Sequence, residues 1–259
     1  MGEDKLTEKE YWEKYWDKIV LPIEIKKTKR NSSLNCLLKI FDKFFPKDNN
    51  LSILEIGGAP GQYLVYIAKK FHYKIYCLDY SITGCRNTEK NFKILGIQGT
   101  VYQMDLFSDQ ISNLPLFDIV YSLGFIEHFL DLEQVIERHL QLLKPGGILL
   151  IGTPNFLGIN RLILKIFNPE LLHFHNLSSM DIKNWKVFEK RFNLEPLFKG
   201  YIGGFEPKIF VSAKGSFSKK AISYLFRCLS RIIDYSCFLR MFNSKYWSGY
   251  VVGVYKKPK

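Results

Sequence analysis

Three carboxylates, Glu55, Asp79 and Asp105, each close an apolar run in the first half of the chain: "SILEIG", "KIYCLD" and "TVYQMD". The first leads into a glycine turn, Glu55-x-Gly57-x-Ala59-x-Gly61, and then into "QYLVYIAKKF", whose apolar spacing is helical. Strand, glycine turn and helix together mark a nucleotide site, but several kinds begin that way. A P-loop needs Gly-Lys-Ser/Thr, which is absent, and a dinucleotide fingerprint would put its last glycine at Gln62. An acid two positions before the first glycine would repel a pyrophosphate and suits a cation instead. The glycines let backbone approach the ligand with no Cβ in the way. Asp79 falls eighteen residues beyond Gly61, where a carboxylate can accept both hydroxyls of a ribose. Asp105, between Met104 and Leu106, can accept an adenine amino group while its neighbours flank the ring.

One ligand carries an ammonium, a sulfonium, a ribose and an adenine: S-adenosylmethionine (SAM). Gly58, Tyr63, Tyr80, Leu123 and Gly124 complete the ring of residues expected around it. The plainer alternatives are a Glu55 that binds nearby backbone and two aspartates that cap turns. Three acids on successive strand ends favour the ligand.

The elements that must hold these acids alternate. Strands "SILEIG", "KIYCLDY", "TVYQMD", "FDIVYSLG" and "GILLIGT" are separated by helices "QYLVYIAKKF", "TGCRNTEKNFKIL" and "LEQVIERHLQLL". Nearly unbroken apolar strands in βαβ order predict a parallel, doubly wound α/β sheet with the ligand at its carboxyl edge. "TEKEYWEKYWDK" predicts a helix capped by Thr7 and Glu10, its aromatic rings packed on the core in preference to a ligand. "LNCLLKIFDKFF" predicts a second helix, and "LSSMDIKNWKVFEKRF" another, capped by Ser178 and Asp181. "LEPLFKGYI" and "YVVGVYKK" predict the last strands, with the amphipathic "SKKAISYLFRCLSRIIDYSCFLRMF" between them. One domain is expected, with 1–50 a helical cap, 51–155 the cofactor-binding core, and 156–259 the substrate side and insertion.

"LEIGGAPG", "CLDY", "QMDLF", "FDIVYSLGFIEHF" and "LLKPGGILLIGTPN" together resemble the class I SAM-dependent methyltransferase family, over about residues 51–155. The Glu-His segment and the Pro-Gly-Gly turn are similar to those of its ubiquinone-type and glycan-pathway members. The resemblance implies a seven-stranded Rossmann-like sheet whose last strand is antiparallel, with the insertion before it. It also implies methyl transfer to an oxygen, less readily a nitrogen, of a small-molecule acceptor. Ala59 departs from the family's usual middle glycine.

Methyl transfer is an in-line displacement, so positioning carries much of it, and a base matters only where the acceptor must lose a proton. His128, after the fourth strand, is the candidate base, and a structural histidine bonded to backbone is the equal alternative. His173 and His175, in a segment bordering the acceptor pocket, stand equally between substrate contact and loop bracing. His139 and His72 are expected to be structural. Ubiquinone-type enzymes can hold a cation near Glu-x-x-Glu-His, but here Gly124 replaces the first carboxylate, so no metal is expected.

Five scattered cysteines without a Cys-x-x-Cys pair suit a reducing cytosol and give no zinc site. No signal peptide and no uncharged run of eighteen apolar residues is present, so a cytoplasmic protein is expected. The formal charge is +12, and +10 of it lies from Lys208 onward, where eleven Lys/Arg face only Asp234. The insertion, 219–242, either covers the pocket or lies on an anionic membrane. A nucleic-acid methyltransferase is disfavoured, because "SLGFIEH" stands where an Asn/Asp-Pro-Pro-Tyr/Phe motif belongs. A non-catalytic SAM-binding protein is the remaining alternative.

Overall fold

Seven strands form one sheet in the order β3-β2-β1-β4-β5-β7-β6 in this computed structural model. The structure describes residues 5–26, 32–205, 221, 224–226, 228 and 242–259. The strands are β1 (Ser52–Ile56), β2 (Lys74–Asp79), β3 (Gly99–Gln103), β4 (Phe117–Leu123), β5 (Leu143–Pro154), β6 (Glu195–Phe205) and β7 (Ser248–Lys256). β1 to β5 pair in parallel, while β7 runs antiparallel between β5 and β6. The doubly wound sheet and its antiparallel final strand agree with the reading of the sequence. The strand order reverses between β1 and β4, which opens a crevice at their carboxyl ends.

Helices cover both faces because the central strands are apolar on both. One face packs Leu54, Ile56 and Val120 under α5 (Leu132–Gln141) and α7 (Lys186–Arg191), whose Phe188 is fully buried beside Trp185. The other packs Ile53, Ile119 and Leu150 under α2 (Ser32–Phe44), α3 (Gln62–Phe71) and α4 (Ile82–Ile94). Each fully buried large apolar side chain contributes about 1.5–3 kcal/mol.

Both expected capping boxes fail to form. α1 (Lys9–Trp16) is capped at Glu8 with no side-chain bond, because the Thr7 hydroxyl bonds His128 Nδ1 (2.9 Å) instead. Residues 177–192 form a 3-10 turn, Leu177–Met180, and a separate α7, because Asn176 takes the Ser178 N–H (3.0 Å) and Trp185 Nε1 donates to the Ser179 carbonyl (2.7 Å). A further helix, α6 (Ile159–Phe167), lies in a segment the sequence left unassigned. The expected insertion helix and its membrane-binding stretch lie almost wholly outside the described residues. Among the described residues, no helix is long and apolar enough to cross a membrane.

Candidate active site

A cleft opens at the carboxyl ends of β1, β2 and β4, and its empty space, open mouth included, is about 990 Å³. Glu55, Gly57, Gly58, Ala59, Tyr63, Asp79, Tyr80, Met104, Asp105, Leu106, Leu123 and Gly124 all line it. Of the expected ligand residues only Gly61 does not. Its φ of +79° starts α3, and a Cβ there would strike Phe92 and Thr88, so this glycine serves helix packing behind the cleft. Gly57 lines the cleft with a φ of +67°, and an added Cβ would lie 2.4 Å from the Phe125 ring on the cleft wall. At Gly58 a Cβ would come within 2.8 Å of the Glu55 side chain, so the glycine gives that carboxylate its room.

Glu55 is almost fully buried near the end of β1, and its Oε2 has no hydrogen-bond partner. Burial pushes its carboxyl up to about 8; the Tyr121 hydroxyl beside it offsets part of this and Asp79 adds to it. A buried acid with a free oxygen facing a cleft is matched by a ligand cation. Asp79, also buried, accepts from Ser81 N (2.9 Å) and Ala59 N (3.3 Å), and burial holds it near 6. It therefore caps the turn, as the plainer alternative had it, while also lining the cleft.

Asp105 lines the cleft and caps its own turn, and it has a partner that the sequence did not suggest. Its carboxylate is bridged by Lys5 Nζ at 2.5 Å and accepts from Phe107 N at 3.0 Å. An adenine amino group would have to share it with Lys5. Sequence spacing held no sign of that pairing, which spans a hundred residues.

The aromatic helix also departs from expectation. α1 buries no residue; Trp12 and Trp16 line the cleft, while Tyr11 and Tyr15 face solvent. The helix is tied down through Glu13, whose carboxylate accepts from Ile82 N (2.7 Å) and Thr83 N (2.9 Å) at the start of α4. Leu6 N donates to the His128 carbonyl (2.9 Å), fixing the segment before it. The rings thus form a wall of the site.

His128 lines the same wall, edge-on to Trp12 with ring centroids 5.0 Å apart. Its Nδ1 lies 3.1 Å from the Phe174 carbonyl, and burial drives the ring down to about 3. His175 packs on it, centroids 4.6 Å apart, whereas His173 is exposed and stands apart. His139 is buried and spends both nitrogens on Val135 O and Ser122 Oγ, a structural role as expected. The contact between His128 and His175 comes from Asn176, whose N–H donates to the Glu127 carbonyl (2.6 Å) and whose Nδ2 donates to the Phe129 carbonyl (2.9 Å).

Against known proteins, residues 29–197 match a family model described as a methyltransferase domain. No curated protein sequence matches significantly. Among solved structures, the chain is similar to geranyl diphosphate C-methyltransferase from Streptomyces coelicolor, crystallised with Mg²⁺, geranyl diphosphate and S-adenosyl-L-homocysteine: TM-score 0.64, 10% identity, 96% of this chain and 98% of that one. It is similar to Haemonchus contortus phosphoethanolamine N-methyltransferase 2 in complex with phosphomonomethylethanolamine and S-adenosylhomocysteine, at TM-score 0.59 and 16% identity over 87% of this chain and 53% of that one. The [4+2]-cyclase SpnF also superposes, at TM-score 0.58 and 13% identity over 91% and 86% of the two chains. At such identities the structural likeness speaks for the fold.

Proposed function

The chain belongs to the class I SAM-dependent methyltransferases, and from that premise we propose that it methylates an oxygen, in preference to a nitrogen, of a small-molecule acceptor held between the cofactor and the wall of Trp12, Trp16, Phe125 and His128. The orphaned Glu55 carboxylate carries the cofactor half of this reading: it faces the cleft one strand away from Asp79 and fits the ammonium of SAM. Asp79 would hold the ribose hydroxyls, and Asp105 the adenine amino group once Lys5 yields, with Met104, Leu106, Leu123 and Gly124 lining the same cleft. When bound, SAM supplies an electrophilic methyl group, which the acceptor oxygen takes as the carbon–sulfur electron pair returns to sulfur and the hydroxyl proton passes to solvent.

The acceptor side is aromatic, and its polar feature is a neutral imidazole. The Phe174 carbonyl (3.1 Å) can only accept, and the Thr7 hydroxyl (2.9 Å) can accept the same proton while donating to that carbonyl (3.3 Å), so the arrangement favours a proton on His128 Nδ1 and a lone pair on Nε2. That lone pair suits an acceptor that arrives as an O–H donor. The +12 charge and the stretch 219–242 agree with an acceptor carried at an anionic membrane surface, such as a lipid or quinone precursor; a glycan intermediate is the other class that fits. The site is expected to work in the cytoplasm.

Incubating the protein with labelled SAM and small-molecule extracts, then searching by mass spectrometry for products one CH₂ heavier, tests this. Products labelled on oxygen support it, and transfer only to nucleic acid or to amines overturns it. His128→Ala should lower kcat by up to about tenfold, the loss of one hydrogen bond to the acceptor, while leaving the SAM Kd nearly unchanged; equal loss of both would remove His128 from that role.

A further inference from the structure

Glu127, His128 and His175 each bring one potential ligand atom to a common point, all within 4.8 Å of one another. Glu127 is 1% exposed, its Oε2 has no hydrogen-bond partner, and among the described residues it joins no ion pair. His175 Nδ1 lies 2.5 Å from the Leu171 carbonyl, and His128 Nδ1 lies between the Phe174 carbonyl and a Thr7 hydroxyl that can donate to that same carbonyl, so both sites favour a proton on Nδ1 and a lone pair on Nε2. An imidazole whose Nδ1–H is fixed by a carbonyl is the arrangement that prepares Nε2 to ligate a metal. The cluster thus gathers two imidazoles and a buried carboxyl group whose potential ligand atoms lie close together. Trp12 and Phe156 stack edge-on against the two imidazoles, keeping the surroundings apolar.

We propose that Glu127, His128 and His175 form a binding site for a first-row divalent cation, with Zn²⁺ the best match to two imidazoles and a carboxylate. Bonds of about 2.0–2.1 Å in a tetrahedral arrangement set the ligand atoms about 3.3 Å apart, so each group has to move inward by less than about 1 Å. Three protein ligands leave a fourth position, and His128 is the ligand that also lines the cleft. Local spacing could not reveal the site, because His175 is brought in by the Asn176 clamp and not by the "GFIEH" segment. What the ion does rests on the oxygen-acceptor reading: with His128 Nε2 spent on the metal, the acceptor hydroxyl would take the fourth position in place of that lone pair and give up its proton to solvent more readily before attacking the methyl carbon. Its binding does not depend on that reading.

Protein stripped with EDTA and desalted would be titrated with ZnCl₂ by calorimetry, and bound zinc measured by mass spectrometry after a second desalting. One equivalent is expected in the wild type. Glu127→Gln and His175→Gln should each weaken binding by more than about tenfold, while His173→Gln, two residues away and exposed, should bind as the wild type does. Circular dichroism and the SAM Kd of each variant report whether it is folded. If a variant is not, the visible spectrum of the Co²⁺-loaded wild type reads the ligand set directly, with bands of four-coordinate nitrogen and oxygen ligation expected. Substoichiometric zinc, or unchanged affinity in folded Glu127→Gln and His175→Gln, would leave the three groups sharing a proton only and overturn the proposal. Failure of methyl transfer with zinc bound would instead count against the acceptor reading.

Discussion

Glu55 has to be ionised to hold an ammonium, yet burial keeps its carboxyl protonated up to about pH 8. The groups facing it are Tyr121 from β4, Tyr63 from α3, Asp79 and Cys77 from β2, and Tyr250 from β7, none of them a cation. Binding below pH 8 must therefore expel a proton, so SAM affinity should rise with pH between about 6 and 8, by up to tenfold per unit. Asp79, near 6, steepens the dependence only at the acid end. Calorimetry in two buffers of different ionisation heat would count the released proton, and Glu55→Gln should flatten the profile while weakening binding. A wild-type Kd that does not change with pH would show that the ammonium lies elsewhere. Asp79→Ala should cost at least about 100-fold in SAM affinity, two charge-assisted hydrogen bonds at about 1.5–3 kcal/mol each. Asp79→Asn, whose single amide oxygen can still accept from Ser81 N but whose NH₂ cannot accept from Ala59 N, keeps the shorter turn bond and so helps to separate that loss from a collapsed turn. Glu55 and Asp79 could be read from the chain because a strand end fixes where its side chain points. Asp105 was only half legible, since nothing local foretells Lys5, and His175 gained its neighbour through a clamp made by Asn176.

At the scale of elements, the strands and α2 to α5 followed from apolar periodicity because each packs a continuous stripe on the sheet. Reading failed where polar side chains chose distant partners. Thr7 was expected to cap α1 and bonds His128 instead; Ser178 was expected to open a long helix and is itself capped by Asn176. The rings of α1 have helical spacing whichever surface they face, so periodicity could not tell core from cleft. Glu13 decides it, by serving as a remote N-terminal cap for α4 through Ile82 N and Thr83 N. Burial alone would raise its carboxyl, but the Thr83 and Ile82 bonds outweigh this and hold it below the ordinary value. Glu13→Ala should remove about 1 kcal/mol of capping and loosen α1, so SAM should dissociate faster in stopped-flow measurements while the melting temperature falls only slightly. A large loss of stability with unchanged dissociation would mean that α1 belongs to the folding core.

The molecule as a whole divides into a sheet sandwiched by helices and a wall that depends on few contacts. Two apolar clusters hold the sheet, whereas α1 has no fully buried residue and is kept in place by Glu13, by the Asn87 amide on the Trp16 carbonyl, and by Thr7, Lys5 and the backbone of Leu6 just before it. Segments with few buried apolar contacts open locally at small free-energy cost. A ligand lying between the sheet edge and Trp12 and Trp16 would add contacts to both parts, so its binding energy should appear in α1 as well as in the global transition. At SAM a hundredfold above Kd the gain is about 2.7 kcal/mol, which for a domain of this size raises the melting temperature by roughly 5–10 °C. Hydrogen exchange should show α1 amides fast in the free protein and slowed on adding SAM, with the β1 and β4 amides already protected. In the Trp12→Ala, Trp16→Ala double variant the sheet should keep its protection, while SAM should slow exchange in α1 less and raise the melting temperature less. If α1 exchanged at the same rate with and without SAM, the wall would have no part in holding the cofactor, and the aromatic side of the cleft would have to be assigned to the acceptor alone.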